Sequence, residues 1–397
     1  MENKKVPKDW KLVKLGDVSH RINDMIPNRD EWDFDRYIAG DHFDEGEIRI
    51  KKSSPIKGNE LVIGYQFQWR FKSGHVLYVV KNPRLRKGGV VDFEGVCSIS
   101  SFVLETDKNL LLQKLLPFVI QTEKFVHHTT THCHGSTNPF LNWKDLAKYE
   151  FYLPPLEEQK KIAEVLWGIE DTINKCEDLI GIYQKFKRKA IKDLFSKKIS
   201  GTFLLGDVCD IRGRIGWKGL KASEYTEEGP YLIAAKHIIG SNIDWHGADH
   251  LSIERYEESP EIILQEGDTI LSKDGTIGRV AYIDSLPGPT TINSTMMLIR
   301  PHKDHLIPKY LYYYLGGDNF KSLVDESIMG STIPHIFQKD MKVLSIPKKT
   351  LKEQEKIVSM LDKFEEKGIR LDNHLKSLKD LRQKLMNELL LGNLRLK

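Results

Sequence analysis

Eight consecutive positions, His127-His128-Thr129-Thr130-Thr131-His132-Cys133-His134, crowd imidazole and thiol groups into one stretch. Such groups ligate zinc, but structural zinc sites draw their ligands from two separated pairs in recurring spacings. The corresponding stretch later in the chain, Ser322–Met329, holds neither His nor Cys. The segment therefore reads as a polar loop whose His132 and His134 donate to a polar partner, with no metal assigned. Other catalytic patterns also fall short. Gly213-Arg214-Ile215-Gly216-Trp217-Lys218-Gly219 lacks the spacing of a phosphate-binding loop. No Asn/Asp-Pro-Pro-aromatic tetrapeptide occurs; Pro154-Pro155-Leu156 is flanked differently. Glu158-Gln159-Lys160 resembles the tail of a nuclease motif but opens a helix, where acidic residues complement the dipole.

Cations offer a better defined chemistry. Arg70, Lys72, Lys81, Arg84, Arg86 and Lys87 follow one another closely, interleaved with Tyr65, Phe67, Trp69 and Phe71. Arg212, Arg214 and Lys218 surround Trp217. Guanidinium and ammonium groups on loops suit phosphate contacts, and arginine suits bidentate reading of guanine. A solvated charged face is the plainer reading of each cluster alone. Lys273, Asp274, Thr276 and Arg279 surround Gly275 and Gly278, where a tight loop lets backbone approach a duplex. His42, and Lys236 with His237, follow strand-like Tyr37-Ile38-Ala39 and Leu232-Ile233-Ala234 and are further candidates. So are Ser136, Thr137, Ser331 and Thr332 beside their glycines.

These candidates come in pairs because the chain is duplicated. Gly135-Ser136-Thr137 returns as Gly330-Ser331-Thr332, an offset of 195 positions (135 to 330). The same offset carries Ile38-Ala39 onto Ile233-Ala234, His42 onto His237, and Glu158-Gln159 onto Glu353-Gln354. Leu15-Gly16-Asp17-Val18 recurs as Leu205-Gly206-Asp207-Val208 at 190 (15 to 205). Solenoid units repeat every roughly 20–50 residues. This period is a whole domain with its connector. The length of 397 residues allows two such domains, each with its own core.

The first part of each half reads as α+β. Val76–Val80, Ser101–Leu104, Thr269–Leu271 and Arg279–Ile283 are strand-like, and helices are predicted at Leu110–Thr122 and Pro308–Leu315. Each half then turns helical, at about 157–196 and about 352–391. Ile162, Leu166, Ile169, Ile173, Cys176, Ile180, Tyr183, Ala190 and Leu194 form one seam. Ile357, Leu361, Phe364, Leu371, Leu375, Leu378, Leu385 and Leu389 form the other. Steps of three and four make a heptad seam, so the two helices are expected to pair within the chain. Lys187 and Arg382 occupy matched positions, each expected to reach a carboxylate or a partner subunit, with water as the plainer alternative. The expected divisions are a first recognition domain over 1–155, a helix over 156–199, a second domain over 200–349 and a helix over 350–397.

Composition is permissive. Net charge is +4, with 40% hydrophobic and 29% charged residues, so a basic surface has to come from local clustering. No apolar run approaches the roughly 18 residues of a membrane span, and the first residues lack a signal-peptide core. Four scattered cysteines suggest free thiols in a reducing cytoplasm.

The order Leu-Gly-Asp-Val, then Gly267-Asp268-Thr269-Ile270-Leu271-Ser272-Lys273-Asp274-Gly275-Thr276-Ile277-Gly278, then Gly-Ser-Thr, then Leu153-Pro154-Pro155-Leu156-Glu157-Glu158-Gln159-Lys160-Lys161-Ile162-Ala163, is given twice in outline. It resembles the specificity subunit of type I DNA restriction–modification systems over nearly the whole chain. The resemblance implies two target recognition domains, an antiparallel pair of conserved helices, and one half of a split double-stranded DNA site per domain. It implies no catalysis on this chain. Partners would be two modification subunits, with S-adenosylmethionine and an adenine-N6 methyltransferase site, and two restriction subunits using ATP and Mg. The first half departs from the pattern at Val80–Gly89, so the two half-sites are expected to differ. The alternative is a coiled-coil scaffold whose globular ends bind proteins.

Overall fold

A computed structural model describes residues 7–196, 201–214, 220–240, 242–274, 276–318, 320–322 and 335–396. The chain divides into two compact units, Met1–Asp178 with Asn373–Lys397, and Leu179–Asp372. Each is an α+β body completed by segments of both long helices.

In the first unit, a four-stranded antiparallel sheet runs Ser19–Ile22, Ser101–Thr106, Val76–Val79, Gly88–Val90. In the second unit the order recurs as Cys209–Arg212, Met296–Pro301, Thr269–Ser272, Val280–Tyr282. Both units add a sheet built on a parallel pair, Arg36–Ile38 with Gly95–Ser98 and Tyr225–Ile233 with Thr290–Ile292. Only the first unit, among the described residues, adds Phe67–Phe71 to the edge of that sheet. The central strands carry Val76, Leu77, Ile270 and Leu271, all fully buried, as β-branched and apolar runs between two packed layers demand.

The repeated Leu-Gly-Asp-Val is a one-turn helix in each unit, Leu15–Val18 and Leu205–Val208. Leu15 and Leu205 are fully buried. A Cβ on Gly16 would lie 2.8 Å from the Ala147 side chain, and one on Gly206 2.9 Å from that of Lys342. The glycines serve close backbone approach. The repeated Glu-Gln is equally structural. Gln159 Nε2 donates to Leu110 O and Pro154 O while its Oε1 accepts from Leu112 N. Gln354 repeats all three bonds with His305 O, Lys349 O and Ile307 N. Every partner is displaced by 195, so one buried amide fixes each long helix to its domain.

The long helices cover Leu156–Ser196 and Leu351–Leu390. In the first unit Glu170 meets Arg382 and Glu177 meets Lys379, so the segments run antiparallel. In the second, Tyr183 lies against Gly368 and Phe364 while Lys187 reaches Glu365, with the same sense. Ile162, Leu166, Ile173, Cys176, Tyr183, Ile357, Leu361 and Leu389 of the expected seams are buried. Met386 and Phe195, outside the heptad reading, are buried as well because the ends of the helices also pack on the domains.

Two local expectations need correction. The span 110–122 is a 3-10 turn, Gln113–Leu115, and a short helix, Leu116–Val119. The histidine-rich stretch is not a loop throughout: Glu123–Thr131 is a helix capped by Thr122, whose Oγ1 accepts from Phe125 N. The Thr-Glu pair at its start was the readable signal. Pro308–Leu315 is helical as expected. The four cysteines are free thiols, and no described helix is long and apolar enough to cross a membrane.

Candidate nucleic-acid interface

In the first unit the structure brings two of the candidate loops together. The turn Pro83–Leu85 is bracketed by Asn82 (φ 51°) and Arg86 (φ 48°), both left-handed. Non-glycine residues hold that conformation at a cost, so a surrounding network must impose it. Asn82 N donates to Pro139 O at 2.7 Å, and Lys81 bridges Phe140. His134 also bridges Phe140. The Lys81–Arg84 turn therefore lies beside the loop carrying His134, Gly135, Ser136 and Thr137. Lys81, Arg84, His132, His134, Ser136 and Thr137 are all exposed. His134 Nε2 lies 2.8 Å from Asp145 Oδ2, and this bond holds the Asp145 carboxyl below its usual range. His132 stacks on His128 with ring centroids 4.3 Å apart.

Other members of the basic run are committed elsewhere. Arg86 pairs with Glu123. Lys87 Nζ donates to Gly40 O at 2.6 Å. Arg70, on the edge strand, faces Asp33 and Glu94 at 3.0 and 3.3 Å. Two carboxylates cancel its charge, so Arg70 presents no cationic surface. Lys72 is exposed just beyond that strand.

The repeated histidines close turns. His42 Nδ1 accepts from Ala39 N at 2.9 Å and its Nε2 meets Ser54 Oγ. His237 Nδ1 accepts from Ala234 N at 3.0 Å, and the ring is 3% exposed. Burial lowers the His237 pKa, which suits the neutral ring that an accepting Nδ1 requires. His237 is thus a folded-in brace and offers no edge to a duplex. Its neighbour Lys236 is exposed, with Asp249 at 2.8 Å.

Arg214 is also inside, 4% exposed, donating to Ile292 O and Ser259 Oγ. Arg212 remains outside beside Asp210. Lys273 is largely covered, its backbone fixed to Thr295 O and Ile336 N, while Asp274 pairs with His335. Thr276 is exposed, its carbonyl receiving the Ser272 hydroxyl. Arg279 donates to Ala235 O and Ile238 O. Lys218, Gly275, Ser331 and Thr332 lie outside the described residues.

Sequence reading missed Gln121 and Glu123, which hold the Pro83–Leu85 turn in place. Gln121 Nε2 donates to Glu47 O, Arg86 O and Gly88 O. The available signal was the repeat itself, since the offset of 195 sets Gln121 against Gly316 and Glu123 against Asp318.

A sequence model described as "Type I restriction modification DNA specificity domain" matches residues 7–182 and 198–379. The MjaVIII type I restriction enzyme specificity subunit of Methanocaldococcus jannaschii is 22% identical over all of this chain and 96% of its own length. The EcoR124I/EcoR124II specificity subunit of Escherichia coli is 25% identical over 41% of this chain and 40% of its own. Among solved structures, the S subunit of a type I system from M. genitalium superposes over 98% of both chains, with 16% identity and a TM-score of 0.57. A chain from a type I R-M system assembly covers 98% of this one and 100% of itself, with 20% identity and a TM-score of 0.63. These superpositions establish the shared fold.

Proposed function

Because the chain belongs to the family of type I restriction modification DNA specificity domains, we propose that it selects a bipartite double-stranded DNA site for a restriction–modification complex. The domain within 1–155 reads one half-site and the domain within 200–349 the other. The chain performs no catalysis. Methyl transfer to adenine N6 from S-adenosylmethionine, and ATP- and Mg-dependent cleavage, belong to two modification and two restriction subunits. The long helices dock the modification subunits, and the complex works in the cytoplasm where its DNA lies.

The observation that carries this reading is the repetition of one α+β frame with unlike loops. The frame-setting contacts, Gln159 and Gln354 above all, coincide bond for bond. The exposed loops differ: Lys81 and Arg84 stand on a left-handed turn in one unit, Thr276 on a serine-pinned turn in the other. A constant frame with variable exposed residues suits two readers of different sequence, with phosphate contacts fixing register and loop residues choosing bases.

The test is to express the chain with its modification subunit and map methylated adenines. A split motif is expected, and Arg84→Ala should relax one half of it by roughly 1–3 kcal/mol for a lost base contact. Uniform weakening at every sequence, with a shallower salt dependence, would make Arg84 a phosphate contact. Loss of sequence preference in the parent complex, with protein partners retained, would favour the scaffold reading.

A further inference from the structure

The two units differ at one place where the frame is otherwise matched. In the first, Glu123 is shared: its Oε2 pairs with Arg86 at the end of the Pro83–Leu85 turn, and its Oε1 accepts from Gln383 Nε2 on the second long helix at 3.2 Å. Arg382, the preceding helix residue, donates to Gly46 O at 3.1 Å, and Gly46 N donates to Arg86 O at 3.2 Å. Gln121, 2% exposed, sits among these groups and spends its amide on the carbonyls of Glu47, Arg86 and Gly88, at 2.7–3.1 Å. The long helix and the exposed turn thus share one hydrogen-bonded hub.

The second unit keeps the outer parts and lacks the middle. Asp318, matching Glu123, faces Arg188, matching Gln383, at 3.7 Å. Phe320, matching Phe125, is buried like it, so the register is secure. Gly316, however, stands where Gln121 would be, and Arg279 turns to Ala235 O and Ile238 O. Lys187, matching Arg382, bonds to Glu365. A cavity of about 560 Å³ opens there, lined by Lys187, Arg188, Gly240, Arg279 and Gly316 among others.

We propose that Gln121, Glu123 and Arg86 are positioning residues for the Lys81–Arg84 turn, coupling base discrimination at the first half-site alone to the second long helix through Gln383 and Arg382. This rests on the proposed reading of the turn as a DNA contact. The physical basis is direct. Asn82 and Arg86 hold left-handed backbone only while neighbours over-determine it. A shift of the helix face on docking a modification subunit moves two donors, Gln383 and Arg382, that end on Glu123 and Gly46. In the second unit Gly316 offers no side chain to join the Arg279 turn to the helix face at Lys187 and Arg188, and the helix is tied instead through Asp362 to Lys309 and Tyr313.

The experiment compares Arg84→Ala, Gln383→Ala, Glu123→Gln and Arg188→Ala in the assembled methyltransferase complex. Methylation rates are read on DNA carrying single-base changes in either half-site. Glu123 is exposed and Gln383 half-buried, neither belongs to a core cluster, and thermal melting checks that folding is preserved. Gln383→Ala and Glu123→Gln should each reduce discrimination at the first half-site by about threefold to tenfold, a fraction of one base contact. The second half-site should be untouched, and Arg188→Ala should change neither. Amide exchange at residues 82–88 should quicken in Gln383→Ala. If Arg84→Ala relaxes the first half-site while Gln383→Ala and Glu123→Gln leave discrimination and exchange unchanged, the coupling is refuted. If Arg84→Ala itself changes nothing at the first half-site, the DNA-contact reading fails, and the exchange result alone decides the mechanical link. Equal loss at both half-sites refutes the one-sided coupling.

Discussion

Replacing Arg382 with methionine should destabilise the first unit far more than replacing Lys187 with methionine destabilises the second. The two positions are 195 apart, and so are their carboxylate partners Glu170 and Glu365. Burial separates them. Arg382 and Glu170 side chains are 12% and 4% exposed, with a 2.6 Å contact, whereas Lys187 and Glu365 are 25% and 38% exposed. Removing one member of a buried pair strands the other, at about 3–5 kcal/mol. Arg382 also loses its bond to Gly46 O, worth about 1 kcal/mol. Partial access of the arginine to water offsets some of this, so about 3 kcal/mol is expected for Arg382→Met. A half-exposed pair such as Lys187–Glu365 is worth about 0–1 kcal/mol. Urea unfolding measures both through the midpoint, with an unchanged slope confirming that stability alone moved. The double replacement Glu170→Leu with Arg382→Met should recover much of the loss, since no charge is then stranded. Equal costs at the two positions, or a double variant as unstable as Arg382→Met, would refute the reasoning.

Gln159→Leu and Gln354→Leu should each cost roughly 3–5 kcal/mol, because three backbone groups lose their partner in a buried site at about 1–3 kcal/mol apiece with some relaxation. Matched losses in thermal or urea unfolding are expected; a neutral result at either would discount the amide as the joint between helix and domain. Burial pushes the Glu47 carboxyl up from 4.5 to about 8. Its folded form therefore holds a proton that the unfolded form has released, so this contribution is full below about pH 4.5 and is lost as pH rises through 8. Glu47→Gln should flatten that decline and leave the protein more stable than the parent at pH 8; an unchanged pH–stability profile would show that Glu47 titrates normally.

Some of this was legible without coordinates because it follows from constraints that repeat. Leu-Gly-Asp-Val recurs since Gly16 and Gly206 both face side chains closer than 3 Å to where a Cβ would stand. The glutamine of Glu-Gln recurs since both long helices need the same three bonds at their start. The seams were visible as heptads because the first helix is buried at most seam positions from Ile162 to Tyr183, and the second is buried at Ile357, Leu361 and Leu389 and half-buried at Phe364, Leu371, Leu375, Leu378 and Leu385 between them. Duplication, α+β class and helix pairing all rest on such local, periodic demands. The candidate interface did not, because whether a cation faces water depends on neighbours remote in sequence. Arg70 looked free until Asp33 and Glu94 were beside it, and Arg214 until Ile292 and Ser259 closed over it. His42 and His237 were singled out by their repetition, yet what repeats is a turn closed by the ring nitrogen. A side chain's type is written in the chain; the charge and space left to it after its neighbours arrive are settled only by the tertiary packing.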